Sequence, residues 1–133
     1  RSTPVVIATS LNWVPQAQAR QAGRSFEDAF NAWRAAKNAG DVPRLLGYYT
    51  SDFNSYGKSL TDWTPSLQQE ISKAGGRGFE IKDLSMLRWT DNTETMVVTF
   101  GELVAGTNRG STKRQYWLRQ GQQWKIFFEG VIG

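Results

Sequence analysis

At Gly78 the chain changes its period. Before it, large apolar residues recur at helical spacing: Phe26, Phe30, Trp33 and Lys37 follow one another down one stripe, with Ala29, Ala32 and Ala36 beside them. After it, apolar and polar residues alternate through 79–89, 95–104, 111–119 and 124–130. "TDNT", "AGTNRG" and "QGQQ" separate these runs as turns. Helices followed by a meander of long strands predict an α+β domain with antiparallel pairing. "SFED" predicts a capping box with Ser25 at the N-cap of the first helix. Asp41 predicts a cap on a short second helix with Pro43 in its first turn. A third helix is expected from Thr61 or Asp62, with Pro65 early and Gly75 at its end. A short strand is expected near Ser55 and Tyr56. Residues 1–23, with "QAQARQAG", read as a linker-like segment; residues 24–133 read as one domain.

The 133-residue chain is long enough to bury a core, and six Trp, seven Phe and four Tyr supply it. It contains no Cys and no His. That excludes disulfides, thiolate metal sites and every His-based triad. No metal-ligand spacing or cofactor motif occurs, so no metal and no cofactor are expected. The net charge of +4 is no nucleic-acid signature. No apolar run is long enough to span a membrane, and "PVVIA" is too short for a signal-peptide core. The chain opens on Arg1, which predicts a fragment or processed form with an upstream domain in the full-length protein.

Alternation places Met96, Val98, Phe100, Glu102 and Val104 on one face of the second long strand. That face should meet the helices, so Glu102 is expected in or at the rim of a pocket. It is either a structural carboxylate held by a donor or a base whose pKa burial has raised. Glu129 alternates with Lys125 and Phe127, against Trp124, Ile126 and Phe128, and the pattern does not say which set faces inward. Tyr49, Phe53, Tyr56, Trp63, Phe100 and Trp117 are candidate pocket-lining residues together with Glu102; the competing reading is that most of these rings fill the core. Tyr49 and Tyr56 are expected to face the cavity. Lys113, Arg114, Arg119 and Lys125 are read as a solvated or edge-protecting charge pattern, with no nucleic acid as partner.

The element order resembles that of the nuclear transport factor 2-like superfamily, a cone in which a bent sheet wraps around helices. "AWRAAKNAGDVPRLLGYYTSDF" is similar to the segment in which Trp33, Asp41, Tyr49 and Phe53 recur in extracytoplasmic bacterial members, and Trp63 follows at the expected distance. "MVVTFGELV" resembles their second long strand, and "KRQYW" followed by "WKIFFEG" their terminal hairpin. The resemblance covers Ser25 to Ile132 and is nearest to the domain appended to L,D-transpeptidase-type cell-envelope proteins. Glu102 departs from the neutral amide that such relatives often carry. The resemblance implies a non-catalytic module, periplasmic rather than cytoplasmic, that holds a small-molecule or glycan ligand or positions a partner domain. The alternative it implies is a ketosteroid-isomerase or SnoaL-like enzyme with Glu102 as general base and Tyr49 or Tyr56 as hydrogen-bond donor. A third implication is an adaptor that docks through the open sheet. A homodimer is expected through the sheet face that carries Thr95, Val97 and Thr99.

Overall fold

The computed structural model describes the backbone of residues 5–8, 16–90 and 94–132, and side chains within 24–88 and 94–132. Its helices are α1 (Gln16–Ala39), α2 (Val42–Leu46) and α3 (Leu60–Ala74). The strands are β1 (Val5–Ala8), the short pair β2 (Asn54–Ser55) and β3 (Lys58–Ser59), and the long run β4 (Phe79–Thr90), β5 (Glu94–Val104), β6 (Gly110–Gln120) and β7 (Gln123–Val131). The four long strands form the expected antiparallel meander, β4-β5-β6-β7. The fold is α+β, with three helices and a curved antiparallel sheet.

Two expectations at the N-terminal side need correction. The segment read as linker-like contains β1, which extends the sheet by pairing parallel to β4, with Val5 opposite Met86 and Ala8 opposite Trp89. It also contains the first turns of α1, which starts at Gln16 rather than Ser25. The Gln- and Ala-rich sequence has good helix propensity and no proline, so the helix runs through Gly23 and the cap signal. The Ser25 hydroxyl instead accepts a hydrogen bond from Trp124 Nε1 at 3.2 Å.

Elsewhere local chemistry sets the element ends. Asp41 caps α2 by accepting from the Arg44 amide at 3.3 Å. α3 is capped two or three residues earlier than expected, by Ser59, whose Oγ accepts from the Asp62 amide at 3.3 Å. Gly75 ends α3 in the left-handed conformation, with φ 62°. After α2 the chain lies along β7: the Thr50 amide donates to Ile126 O at 2.8 Å, and the Ile126 amide to Tyr48 O at 2.7 Å. That contact covers a strand edge otherwise open to pairing.

The core lies between α1 and the inner face of the sheet. Phe26, Phe30, Trp33 and Ala36 of α1 meet Met96, Val98 and Phe100 of β5, Trp117 of β6, and Trp124 and Ile126 of β7. The rings pack mostly edge to face: Phe26 on Trp117 at 5.2 Å, Phe26 on Trp124 at 5.4 Å and Phe30 on Phe100 at 5.5 Å between centroids.

Two strand irregularities place the functional side chains. In β4 the register shifts between Lys82 and Ser85, where Asp83 has φ 53°. In β7 Ile126 faces Trp117 while Phe128 faces Tyr116, so Phe127 is an extra residue, a β-bulge. The bulge resets the alternation. Trp124 and Ile126 face inward, Phe128 faces outward, and Glu129 returns to the inner face opposite Gln115. The strict alternation read from the sequence, which set Glu129 against Trp124 and Ile126, is thereby corrected.

Candidate functional site

The inner face turns polar where α1, α3 and β5–β7 converge. Lys37 continues the apolar stripe of α1 and is 1% exposed. Its Nζ donates to Glu102 Oε1 at 2.8 Å and Oε2 at 3.0 Å, and to Glu70 Oε1 of α3 at 2.6 Å. It also lies 4.6 Å from the centroid of the Phe79 ring. Lys113 of β6 approaches from the sheet. Its Nζ donates to Glu102 Oε1 at 2.7 Å and to both Glu70 oxygens, at 2.9 and 2.7 Å. Two ammonium groups thus bridge two carboxylates in a closed square. The expectation that Lys113 belongs to a solvated charge pattern is overturned: alternation puts it on the inner face with Gln115 and Trp117, and it is 2% exposed.

A second chain of hydrogen bonds leads inward from the square. Glu129 Oε1 accepts from Tyr49 OH at 2.7 Å and from Gln115 Nε2 at 2.9 Å. Tyr49 OH accepts from Trp33 Nε1 at 3.2 Å, and Gln115 Oε1 from Trp117 Nε1 at 2.9 Å. Glu129 Oε2 lies 3.9 Å from Lys113 Nζ and makes no hydrogen bond among the described residues. The square and this chain hold three carboxylates and two ammonium groups, one negative charge in excess.

The environment shifts three of these groups. Burial pushes Glu70 upward, but Lys113 and Lys37 outweigh it and hold the carboxyl at about 2. Burial pulls the Lys113 ammonium down, but Glu102, Glu129 and Glu70 outweigh that and raise it well above the ordinary lysine value. Burial, then the Glu129 charge, raises the Tyr49 phenol well above its ordinary value, so it stays a donor.

The candidate pocket residues divide. Tyr49, Phe53, Phe100 and Trp117 are buried in the core, and Trp63 is half-buried against Phe53. A ligand could reach the buried rings only by displacing their neighbours, so the reading of these residues as a lining gives way to the reading as core filling. Tyr56, expected to face the cavity, is 71% exposed. It sits in the two-residue turn between β2 and β3, where Tyr56 and Gly57 both have positive φ, 50° and 88°. Its ring leans on Phe128 on the outer face of the sheet, at 5.3 Å between centroids. Glu102 does border a cleft, of about 220 Å³, with Glu70, Lys73, Phe79, Arg109 and Ser111. A wider cleft of about 520 Å³ lies by the β6–β7 turn, between Asp28, Tyr48, Gln122 and Lys125. Among the described residues, no cluster of carboxylates is arranged to hold a metal ion.

Sequence reasoning missed Glu70 and Gln115 and misassigned Lys113. The signal for Lys37 was available, because a lysine continuing an aromatic stripe must find a partner when the stripe is buried.

Comparison with known proteins accords with this architecture. Residues 25–130 match the family model described as the Cds6 C-terminal NTF2-like domain. No match is found among curated protein sequences. Among solved structures, the chain is similar to Bd1075 of Bdellovibrio bacteriovorus, with TM-score 0.69, 16% identity, and 90% of this chain and 43% of that chain covered. It is also similar to Pgp2 of Campylobacter jejuni, described as a helical cell shape determining protein, with TM-score 0.61, 15% identity, and 77% and 38% covered. An NTF2-like protein of unknown function from Pseudomonas putida aligns with TM-score 0.58, 16% identity, and 83% and 84% covered. The chain spans less than half the length of the first two proteins. The family model takes in most of the chain, including every residue of the buried charge network, and the chain belongs to the Cds6 C-terminal NTF2-like domain family.

Proposed function

We propose that this domain is a non-catalytic binding module of a bacterial cell-envelope protein. It works outside the cytoplasm and is accessory to a peptidoglycan-modifying domain of the L,D-transpeptidase type. One observation carries the non-catalytic half of the reading: Glu102, the candidate base, is gripped by two ammonium groups at 2.7 and 2.8 Å. A base needs a lone pair directed at the substrate proton. Here both oxygens are engaged, Oε1 by Lys37 and Lys113 and Oε2 by Lys37, and the candidate rings Tyr49, Phe53, Phe100 and Trp117 are packed into the core. The similarity to a helical cell shape determining protein, of which this chain spans 38%, supports the envelope setting.

The rival reading is proton transfer by Glu102. It requires that removing the charge leave the fold at least as stable. On the module reading, Glu102→Gln leaves Lys37 and Lys113 with Glu70 as their one remaining hydrogen-bonded carboxylate and should cost about 3–5 kcal/mol in a urea denaturation curve. For the binding half, the purified domain should pellet with isolated peptidoglycan sacculi and release no soluble fragments. Failure to pellet, or release of product, would sink the proposal.

A further inference from the structure

The wider cleft, of about 520 Å³, lies against the β6–β7 turn, away from the charge square. Its walls are held at a fixed separation. On one side Trp124 of β7 is 3% exposed, and its indole Nε1 donates to Ser25 Oγ of α1 at 3.2 Å. On the other, Lys125 Nζ donates to Gly47 O at 2.7 Å, and the Ile126 amide to Tyr48 O at 2.7 Å. The space is therefore formed before any ligand arrives, which spares a ligand the cost of ordering it. Inside this frame several polar side chains are left over. Asp28, Gln122 and Gln123 are exposed, and Tyr48 is half-buried. None of these side chains makes a hydrogen bond or ion pair among the described residues. Charge in the lining cancels, because Asp28 is opposed by Lys125, whose ammonium is already committed to Gly47.

We infer that this cleft binds an uncharged carbohydrate, a short stretch of a glycan chain. Each competing class of ligand meets an obstacle. A phosphate or carboxylate finds no uncommitted cation in the lining and meets Asp28. An apolar ligand strips water from a carboxylate and two amides and gives no hydrogen bond in return. An extended peptide adds to a sheet through free backbone groups, and at Ile126 the edge of β7 is taken by Tyr48 and Thr50. A sugar matches what is left. Its hydroxyls both donate and accept, so neighbouring ones suit the side-chain amides of Gln122 and Gln123, and an adjacent pair can donate to Asp28. Tyr48 brings an aromatic ring to the lining for the apolar face of a pyranose. The volume falls within the roughly 300–1,000 Å³ of small-molecule sites and holds roughly two sugar residues. This inference rests on the reading of the domain as a binding module and assigns its ligand to the glycan part of the cell wall rather than the peptide part.

The test records chemical shifts of the isotope-labelled domain, with triacetylchitotriose, a neutral trisaccharide, as the probe. It should cause saturable shifts at the Gln122 and Gln123 side-chain amides and at the Trp124 indole N–H. Asp28→Ala combined with Gln122→Ala should weaken binding at least about tenfold and leave the rest of the spectrum in place, because both side chains are exposed. The absence of saturable shifts, or unchanged affinity in the double variant, would overturn the inference. So would tighter binding of a neutral peptide, acetyl-trialanine amide, at the same signals. Sacculus pelleting that persists while the trisaccharide fails rejects the glycan assignment alone. Pelleting that fails while the trisaccharide binds rejects the cell-wall reading alone.

Discussion

Glu70 is the member of the charge square that solvent still reaches, with 32% of its side chain exposed against 3% or less for Lys37, Glu102 and Lys113. It is therefore where bulk pH enters the network. Its pKa is lowered from 4.5 to about 2 in the fold. A carboxylate with a depressed folded pKa binds its proton more readily when unfolded, so its contribution to stability is complete above about 4.5 and vanishes as pH falls toward about 2. The parent should accordingly lose stability across this window, by urea midpoints at successive pH values. Glu70→Gln should start less stable at neutral pH and show a shallower fall. A variant whose curve runs parallel to the parent's would show that Glu70 is not held by the lysines.

Among the elements, the inward faces of α1 and β5 were legible in the sequence and that of β7 was not. The α1 stripe comes from side chains three and four residues apart, and the β5 face from every second residue; both are local rules that survive burial. Trp33 sits at the middle of that stripe, fully buried between Phe30 and Phe100. Trp33→Ala should cost about 3–5 kcal/mol, read from denaturant unfolding, and a loss below about 1 kcal/mol would put the side chain at the surface. The face of Glu129 depended instead on one extra residue, Phe127, inside a run of two identical side chains, and a bulge leaves no local mark there. Tyr56 was misread because the turn that holds it outward lies in the backbone, with φ 50°. The charge network was hidden for a different reason. Lys37 finds Glu70 33 positions away and Glu102 65 positions away. Spacing along the chain cannot encode such pairings, although the buried stripe did demand some partner for Lys37.

At the level of the assembled domain, the outer face of the sheet stands opposite the helices. Val97, Thr99, Tyr116, Leu118 and Phe128 are half-buried there, and Tyr56 extends the surface with its exposed ring. We expect two copies to pair through this face, because a symmetric contact would cover the apolar strand centres on both at once. Light scattering at high protein concentration should give twice the monomer mass, and Val97→Lys should return it to the monomer value. A parent protein that remains monomeric would assign the face to another partner or to solvent.

The square of ammonium and carboxylate groups also bears on how the domain assembles. Its members come from one helix near the start, one in the middle and two neighbouring strands, with the Glu129 carboxylate arriving on the last strand. A fragment that had docked only some of them would bury a charge without its counterpart, which is costly in a dry interior. Partly built states are thereby penalised in proportion to how nearly they resemble the native one. The consequence is cooperativity: α1, α3 and strands β5–β7 should open and close as a single unit, leaving little room for a stable half-folded form.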